Sequence, residues 1–248
     1  MKRTLLLLFA FTLFLSGSVF AFVNGEYRSK ANGNWNTGAT WEVYNSTTLT
    51  WSAAITTNFP NLATAVATVQ AGHTITMGGA AQVKTLKLDG IVKTSSSSLL
   101  TIADLGSIAA GPTAYIDGPL AYNMTIVTAQ ANSPRTLNIP LAKNGIVRPV
   151  VFKVAQTRAS TISYVIEMFN SAPASITLPA TLASVSNRYY TISRNASPAL
   201  SNVILSLSYD SDETIGTYNT NLRVVKDNGT AWVDQGGVGT ASITGKIT

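Results

Sequence analysis

The chain has 248 residues, no cysteine, one histidine, and only 11% charged residues carrying a formal charge of +6. Without cysteine there are no disulfides, no thiol chemistry, no thiolate metal site and no lipoprotein-type lipid anchor. The basic residues are scattered singly with no Lys/Arg run and no RNA-binding motif, which excludes nucleic acid as an expected partner.

Residues 1–21 read as a secretory signal peptide. Lys2 and Arg3 make a positive start, Leu5 to Leu15 is an apolar run broken only by Thr12, and Val19-Phe20-Ala21 supplies a cleavage signal. As a helix the run reaches roughly 16 Å, about half of a ~30 Å bilayer core. No later segment is apolar enough to span. The expected product is therefore secreted or held at the cell surface, exported by the general secretory route, with no membrane span after cleavage. Its charge is about +4 once Lys2 and Arg3 are removed. A chain of this length can bury around 70% of its unfolded surface, so it needs no staples.

After residue 22 no window sustains a helical period between capping residues. Thr and the β-branched residues favour strands, and Gly, Asn and Ser favour turns. The chain is expected to be all-β. Trp35, Trp41 and Trp51 come first. From Ile75 the pattern becomes a ladder, with Ile75, Leu88, Ile102 and Ile116 recurring at steps of 13, 14 and 14 residues. Gly90, Gly106 and Gly118 follow three of these, and Asp89, Asp104 and Asp117 lie beside the same turns. Short strands and tight turns in repeat predict a stacked β-helix; a meander of antiparallel hairpins is the alternative for residues 66–122.

A boundary is expected near Asn132-Ser133-Pro134. Beyond it come longer runs: Thr136–Leu141, Val147–Val154, Thr161–Phe169, Arg188–Arg194 and Ser201–Asp210. In the last, Val203, Leu205, Leu207 and Tyr209 alternate with Ile204, Ser206, Ser208 and Asp210, as in a half-buried antiparallel strand. Asp227-Asn228-Gly229 marks a hairpin between Leu222–Val225 and Ala231–Val233, because Asn-Gly accepts positive φ. The expectation is a short parallel β-helix with an aromatic cap over 22–132, followed by an antiparallel, Ig-like β-sandwich over 133–248.

Several segments support a family resemblance. Asn32-Gly33-Asn34-Trp35, Ala39-Thr40-Trp41-Glu42, Ala71-Gly72-His73-Thr74-Ile75-Thr76 and Tyr115-Ile116-Asp117-Gly118-Pro119-Leu120 resemble the N-terminal β-helical modules of Bacteroidetes surface proteins, akin to the eight-glycine extracellular domain. Leu137 to Gly145, Arg148-Pro149-Val150, Arg188-Tyr189-Tyr190-Thr191-Ile192, Trp232 and Gly236-Gly237 resemble the β-sandwich that follows in that family. The resemblance implies cell-surface or extracellular delivery, often as one module of an adhesin-like protein and often through type IX secretion. The sorting domain common there does not follow Thr248, so the sequence is expected to be either a fragment or a client of general export alone. The family supplies no catalytic residues to carry over.

Candidate sites each have two readings. Asp89, Asp104 and Asp117, with Lys84 or Lys87 as basic partner, would suit a polysaccharide-processing face if aligned. As turn residues beside glycines they would merely satisfy their own backbone. His73 stands alone, and neither a nucleophile system nor a zinc site can be completed from sequence. Trp35, Trp41 and Trp51 either cap the end of the coil or form a platform for sugar rings. Asp210, Asp212 and Glu213 are the one acidic cluster, either a calcium-binding loop or a solvated one. Trp232 is expected in the sandwich core. No cofactor is implied. The function expected is a non-catalytic extracellular scaffold or adhesin-like module whose partners are glycans or other surface proteins. The alternative is a carbohydrate-binding or polysaccharide-processing β-helix protein.

Overall fold

The computed structural model describes residues 22–125, 135–156, 161–173, 177–180, 182, 185–196, 200–212, 222–237 and 245–247. The signal-peptide segment, the expected boundary at residues 132–133 and Glu213 lie outside them. The fold is all-β, with one short 3-10 turn among the described residues, at Gly38–Thr40.

The first half contributes β1 (Tyr27–Ser29), β2 (Gly33–Asn34), β3 (Trp41–Asn45), β4 (Thr50–Ala53), β5 (Val66–Val69), β6 (Thr74–Thr76), β7 (Ala81–Leu88), β8 (Ile91–Lys93), β9 (Leu100–Ala110), β10 (Tyr115–Asp117) and β11 (Leu120–Thr125). The chain coils rather than zigzags. In one sheet β1, β5, β7, β9 and β11 pair in parallel in that order. In a second, β2, β6, β8 and β10 do the same. The register of β7 against β9 shifts between Val83 and Thr85, so each long strand serves two sides of the coil. Ala81–Val83 stacks on Leu100–Ile102, while Thr85–Leu88 stacks between Val66–Val69 and Ser107–Ala110. The result is a three-sided β-solenoid of about three turns.

The true repeat is longer than the ladder in the sequence. Ile75, Val92, Ile116 and Leu141 are stacked neighbours, at steps of 17, 24 and 25 residues. Successive members of the ladder Ile75, Leu88, Ile102 and Ile116 stand instead on different sides, each step advancing two sides of a three-sided turn, so that only Ile116 returns to the side of Ile75. A 14-residue rung is therefore wrong. All these residues are wholly buried, and each full burial of such a side chain stabilises by about 1.5–3 kcal/mol. The alternation that buries them is visible in β7, where Ala81, Val83, Leu86 and Leu88 point inward and Gln82, Lys84 and Lys87 point outward. The corner glycines allow the stacking. A Cβ at Gly90 would lie 2.4 Å from the His73 carbonyl oxygen of the turn beneath, and one at Gly118 would lie 2.4 Å from that of Thr94.

The N-terminal end of the column is closed by aromatics. Trp35 and Trp41 are fully buried and meet edge to face with centroids 4.8 Å apart. The β3–β4 hairpin lies against β1 beyond them.

The second half contributes β12 (Arg135–Ile139), β13 (Leu141–Lys143), β14 (Ile146–Val147), β15 (Val150–Gln156), β16 (Thr161–Phe169), β17 (Tyr189–Arg194), β18 (Leu200–Tyr209), β19 (Val225–Asp227), β20 (Trp232–Asp234) and β21 (Gly245–Ile247). β16 pairs antiparallel with β11, so the solenoid sheet runs on into β16 and β17. The antiparallel sheet β12-β15-β18-β21 faces it, and Phe152 and Tyr164 meet between the layers with centroids 5.4 Å apart. β16 buries Ile162, Tyr164, Ile166 and Met168 on one face. In β18, Tyr209 is buried, Leu205 and Leu207 pack on the core, and Val203 is exposed.

Two runs expected as single strands are each divided at a proline. The run 136–141 breaks at Pro140, leaving β12 in the sandwich while β13 pairs with β10 and joins the solenoid's second sheet. The run 147–154 breaks at Arg148-Pro149, leaving β14 on β13 and β15 in the sandwich. Proline has no N–H for the ladder, which suits a point where a chain changes sheets. Solenoid and sandwich thus share strands and one contiguous core. Asn144 (φ 54°) and Gly145 (φ 80°) make the two-residue turn of β13–β14, and both need the left-handed region.

Candidate functional site

The ladder aspartates do not converge. Asp89 is exposed in the turn after β7, Asp104 lies at the bend of β9, and Asp117 lies in β10 opposite Lys93 and Ala142. Neither expected basic partner serves them as a catalytic cation. Lys84 donates to the backbone carbonyl of Asp104, and Lys87 pairs with Glu26 at 3.2 Å. Asp104 does more than satisfy a turn. Its carboxylate accepts the Thr125 N–H at 2.9 Å and the Arg135 guanidinium at 2.5 Å, tying the solenoid to the first sandwich strand. Burial pushes this carboxyl up, but those two donors outweigh it and hold it below the ordinary carboxylate value.

His73 has a serine beside it. Its Nδ1 lies 2.7 Å from Ser29 Oγ, which also accepts the Gln70 N–H at 2.8 Å. The Gln70 side-chain amide donates to the Ser29 carbonyl. Ser29 is wholly buried. A nucleophile needs access to substrate and a base oriented by a third group. This pair has neither access nor, among the described residues, a carboxylate bonded to the ring. It acts as a clip joining β1 to the turn before β6.

The tryptophans divide. Trp35 Nε1 donates to the Pro60 carbonyl at 2.9 Å, and Trp41 Nε1 donates to the Trp35 carbonyl at 2.7 Å. With both rings enclosed, neither offers a face to a ligand. Trp51 is half-buried beside Phe22 and Tyr44, and the Arg28 guanidinium lies 4.4 Å above its ring. Trp232 is half-buried in the small β19–β20 hairpin rather than in the sandwich core.

The acidic cluster faces arginines. Asp212 accepts from Arg148 through one carboxylate oxygen and from Arg188 through the other, the latter at 3.3 Å. Asp210 lies 4.0 Å from Arg148. Among the described residues no three metal-ligating side chains converge, and these two carboxylates are directed at guanidinium groups rather than at a shared cation position. Arg148 and Arg188 are only 7% and 8% exposed. Burial, then the charge of Arg148, push the Arg188 guanidinium down, while burial pushes the Tyr190 phenol up to about 12. Beside this group opens a cleft of 340 Å³ lined by Ile146, Asn170, Ser186, Asn187, Arg188 and Asp212.

The residues that build this cleft come from four separated segments, and only Asp212 was a candidate in the sequence. Charge is so sparse in this chain that an arginine beside apolar strand residues, as in Val147-Arg148-Pro149-Val150, is a usable signal. The sequence does not indicate which residues such an arginine meets.

No helix among the described residues is long and apolar enough to cross a membrane. Compared with models of known families, with curated proteins and with solved structures, the chain matches none.

Proposed function

We propose that the chain is an exported, non-catalytic scaffold or adhesin-like module of the cell surface or extracellular space. One observation carries this reading. The side chains best suited to chemistry are engaged in holding backbone and layers together. Ser29 and His73 clip neighbouring turns, Asp104 ties solenoid to sandwich through Arg135, and Asp212 bridges two arginines. A stacked, shared core also suits a rigid spacer, since each rung contacts its neighbours directly and transmits load along the column. The leader-like residues 1–21 support export, and the family resemblance of the N-terminal segments supports a Bacteroidetes-type surface protein.

Surface labelling tests the placement. Intact cells expressing the tagged full chain are treated with a membrane-impermeant amine reagent and with protease. Labelling and cleavage without lysis are expected. Protection from both until lysis contradicts the reading.

Carbohydrate binding is the second reading, and it rests on Trp51. Its ring is half-buried at the N-terminal edge, beside the 40%-exposed Phe22, which gives a small aromatic surface of the kind that stacks on sugar rings. A glycan array discriminates: binding lost in Trp51→Ala with unchanged folding supports this reading, and no signal above background removes it.

A further inference from the structure

The cleft between β14, β17 and the end of β18 has the chemistry of a ligand site that the scaffold reading does not use. Its wall combines Asn170, Ser186 and Asn187 with Arg188, and only Ile146 is apolar. Behind it stand two arginines that the fold has taken out of water. Desolvating two like charges side by side is costly unless an anion lies between them. Asp212 supplies that anion. It does so from the turn after β18, with a side chain 42% exposed, whereas the guanidiniums it bridges are almost enclosed. The enclosed groups of the site are therefore the cations, and the Asp212 carboxylate that bridges them is open to solvent.

Two further groups point the same way. The Ser186 and Tyr190 hydroxyls are buried and have no hydrogen-bond partner among the described residues. Ser186 lines the cleft, and Tyr190 is near enough to both arginines for their charges to act on its phenol. A buried polar group without a partner carries an uncompensated desolvation penalty, and such groups collect where a ligand or water belongs. A guanidinium pair supplemented by hydroxyl and amide groups is suited to an oxygen-rich anion. Asp212 shows the form of that anion, a carboxylate giving one oxygen to each guanidinium.

We propose that this cleft binds a small hydroxy acid, whose carboxylate takes the place of Asp212 between Arg148 and Arg188 and whose hydroxyls meet Asn170, Ser186 and Asn187. The chemistry is that of a uronic or aldonic acid unit, free or as a chain terminus. The volume suits one such unit, at the lower end of the ~300–1,000 Å³ typical of ligand pockets. The site is separate from the Trp51 surface, so the failure of either leaves the other standing.

Calorimetric titration of the purified chain with D-galacturonate, with galactose and sulfate as controls, tests this. Galacturonate is expected to bind, galactose and sulfate much more weakly, and the affinity to fall with added salt. Asp212→Asn removes the internal competitor. If the displaced state is about one-tenth populated, that variant binds about tenfold tighter. Because it also leaves the arginines short of a counter-charge, Ser186→Ala serves as the second variant. It should keep the wild-type melting temperature and bind galacturonate roughly three- to tenfold more weakly, the loss of one hydrogen bond to a ligand hydroxyl. No binding of galacturonate by the folded wild type overturns the proposal. So does equal binding of sulfate, or unchanged affinity in Ser186→Ala.

Discussion

Replacing Trp41 by alanine probes the closed end of the solenoid. The indole is fully buried, its ring meets Trp35 edge to face, and its N–H is donated at 2.7 Å to the Trp35 carbonyl. Truncating a buried Trp to Ala costs about 3–5 kcal/mol through lost transfer energy and the cavity left behind. The Trp35 carbonyl would also lose its donor in a dry site, adding about 1–3 kcal/mol. Because the two terms overlap, a total of about 4–6 kcal/mol is expected. That is a large share of the 5–15 kcal/mol by which domains are typically stable. Equilibrium urea unfolding of the purified chain, followed by far-UV circular dichroism, measures it. Trp41→Phe separates the terms: it keeps an aromatic body without the donor and should lose only about 1–3 kcal/mol, mostly the hydrogen bond. A loss below about 1 kcal/mol in Trp41→Ala, the range of an exposed-site change, would refute the cap assignment.

Other perturbations follow from the same geometry. Gly90→Ala should lower stability by roughly 1–3 kcal/mol in urea unfolding, because its Cβ meets backbone oxygens of His73 and Gln70 at 2.4 and 2.5 Å; an unchanged midpoint would mean the turns are not stacked so closely. Asp104 is ionised more readily in the folded chain than in the unfolded one, so its contribution to stability is complete above the ordinary carboxylate value of 3.8 and is lost as the pH falls through its lower folded value. In acid unfolding, Asp104→Asn should therefore flatten the stability curve in that acidic window, and an identical acid limb in both proteins would contradict the ion pair with Arg135. Ser29→Ala should lower the melting temperature, because it removes the acceptor of the Gln70 N–H within a buried site; equal melting of variant and parent would remove the clip.

Parts of this fold were legible in the sequence for definable reasons. The run Thr161–Phe169 matches β16 at both ends, and its alternating burial shows why it was legible: one face of that strand is wholly buried and the other is not. Glycines beside the ladder residues were a sound sign of close stacking, and Gly90 and Gly118 lie against the turn beneath. The rung length was not legible. Apolar residues fall on all three sides of the coil, so spacing along the chain records sides passed rather than turns completed, and only the pairing of Ile75 with Val92 and of Val92 with Ile116 reveals the turn. The exchange of strands between sheets at Pro140 and Pro149 was hidden for a related reason. Each half of the run has strand character, and nothing local says which sheet it joins.

The cleft was the least legible feature. Arg148, Arg188 and Asp212 have no spacing in common, and the approach of β14, β17 and β18 creates their relation. The acidic cluster was open to a calcium-binding or a solvated reading, whereas the fold places guanidinium groups against Asp210 and Asp212. The three tryptophans suggested one shared role. Enclosure of Trp35 and Trp41 and partial exposure of Trp51 give them two.

The role proposed for this β-solenoid protein is to hold and present rather than to cut. It is tested most directly by prolonged incubation of the purified chain with a panel of neutral and acidic polysaccharides, reading new reducing ends and unsaturated uronate products. No product above a heat-denatured control is predicted. Product that scales with protein concentration, and that disappears in Asp104→Asn or Arg135→Gln without loss of folding, would contradict it.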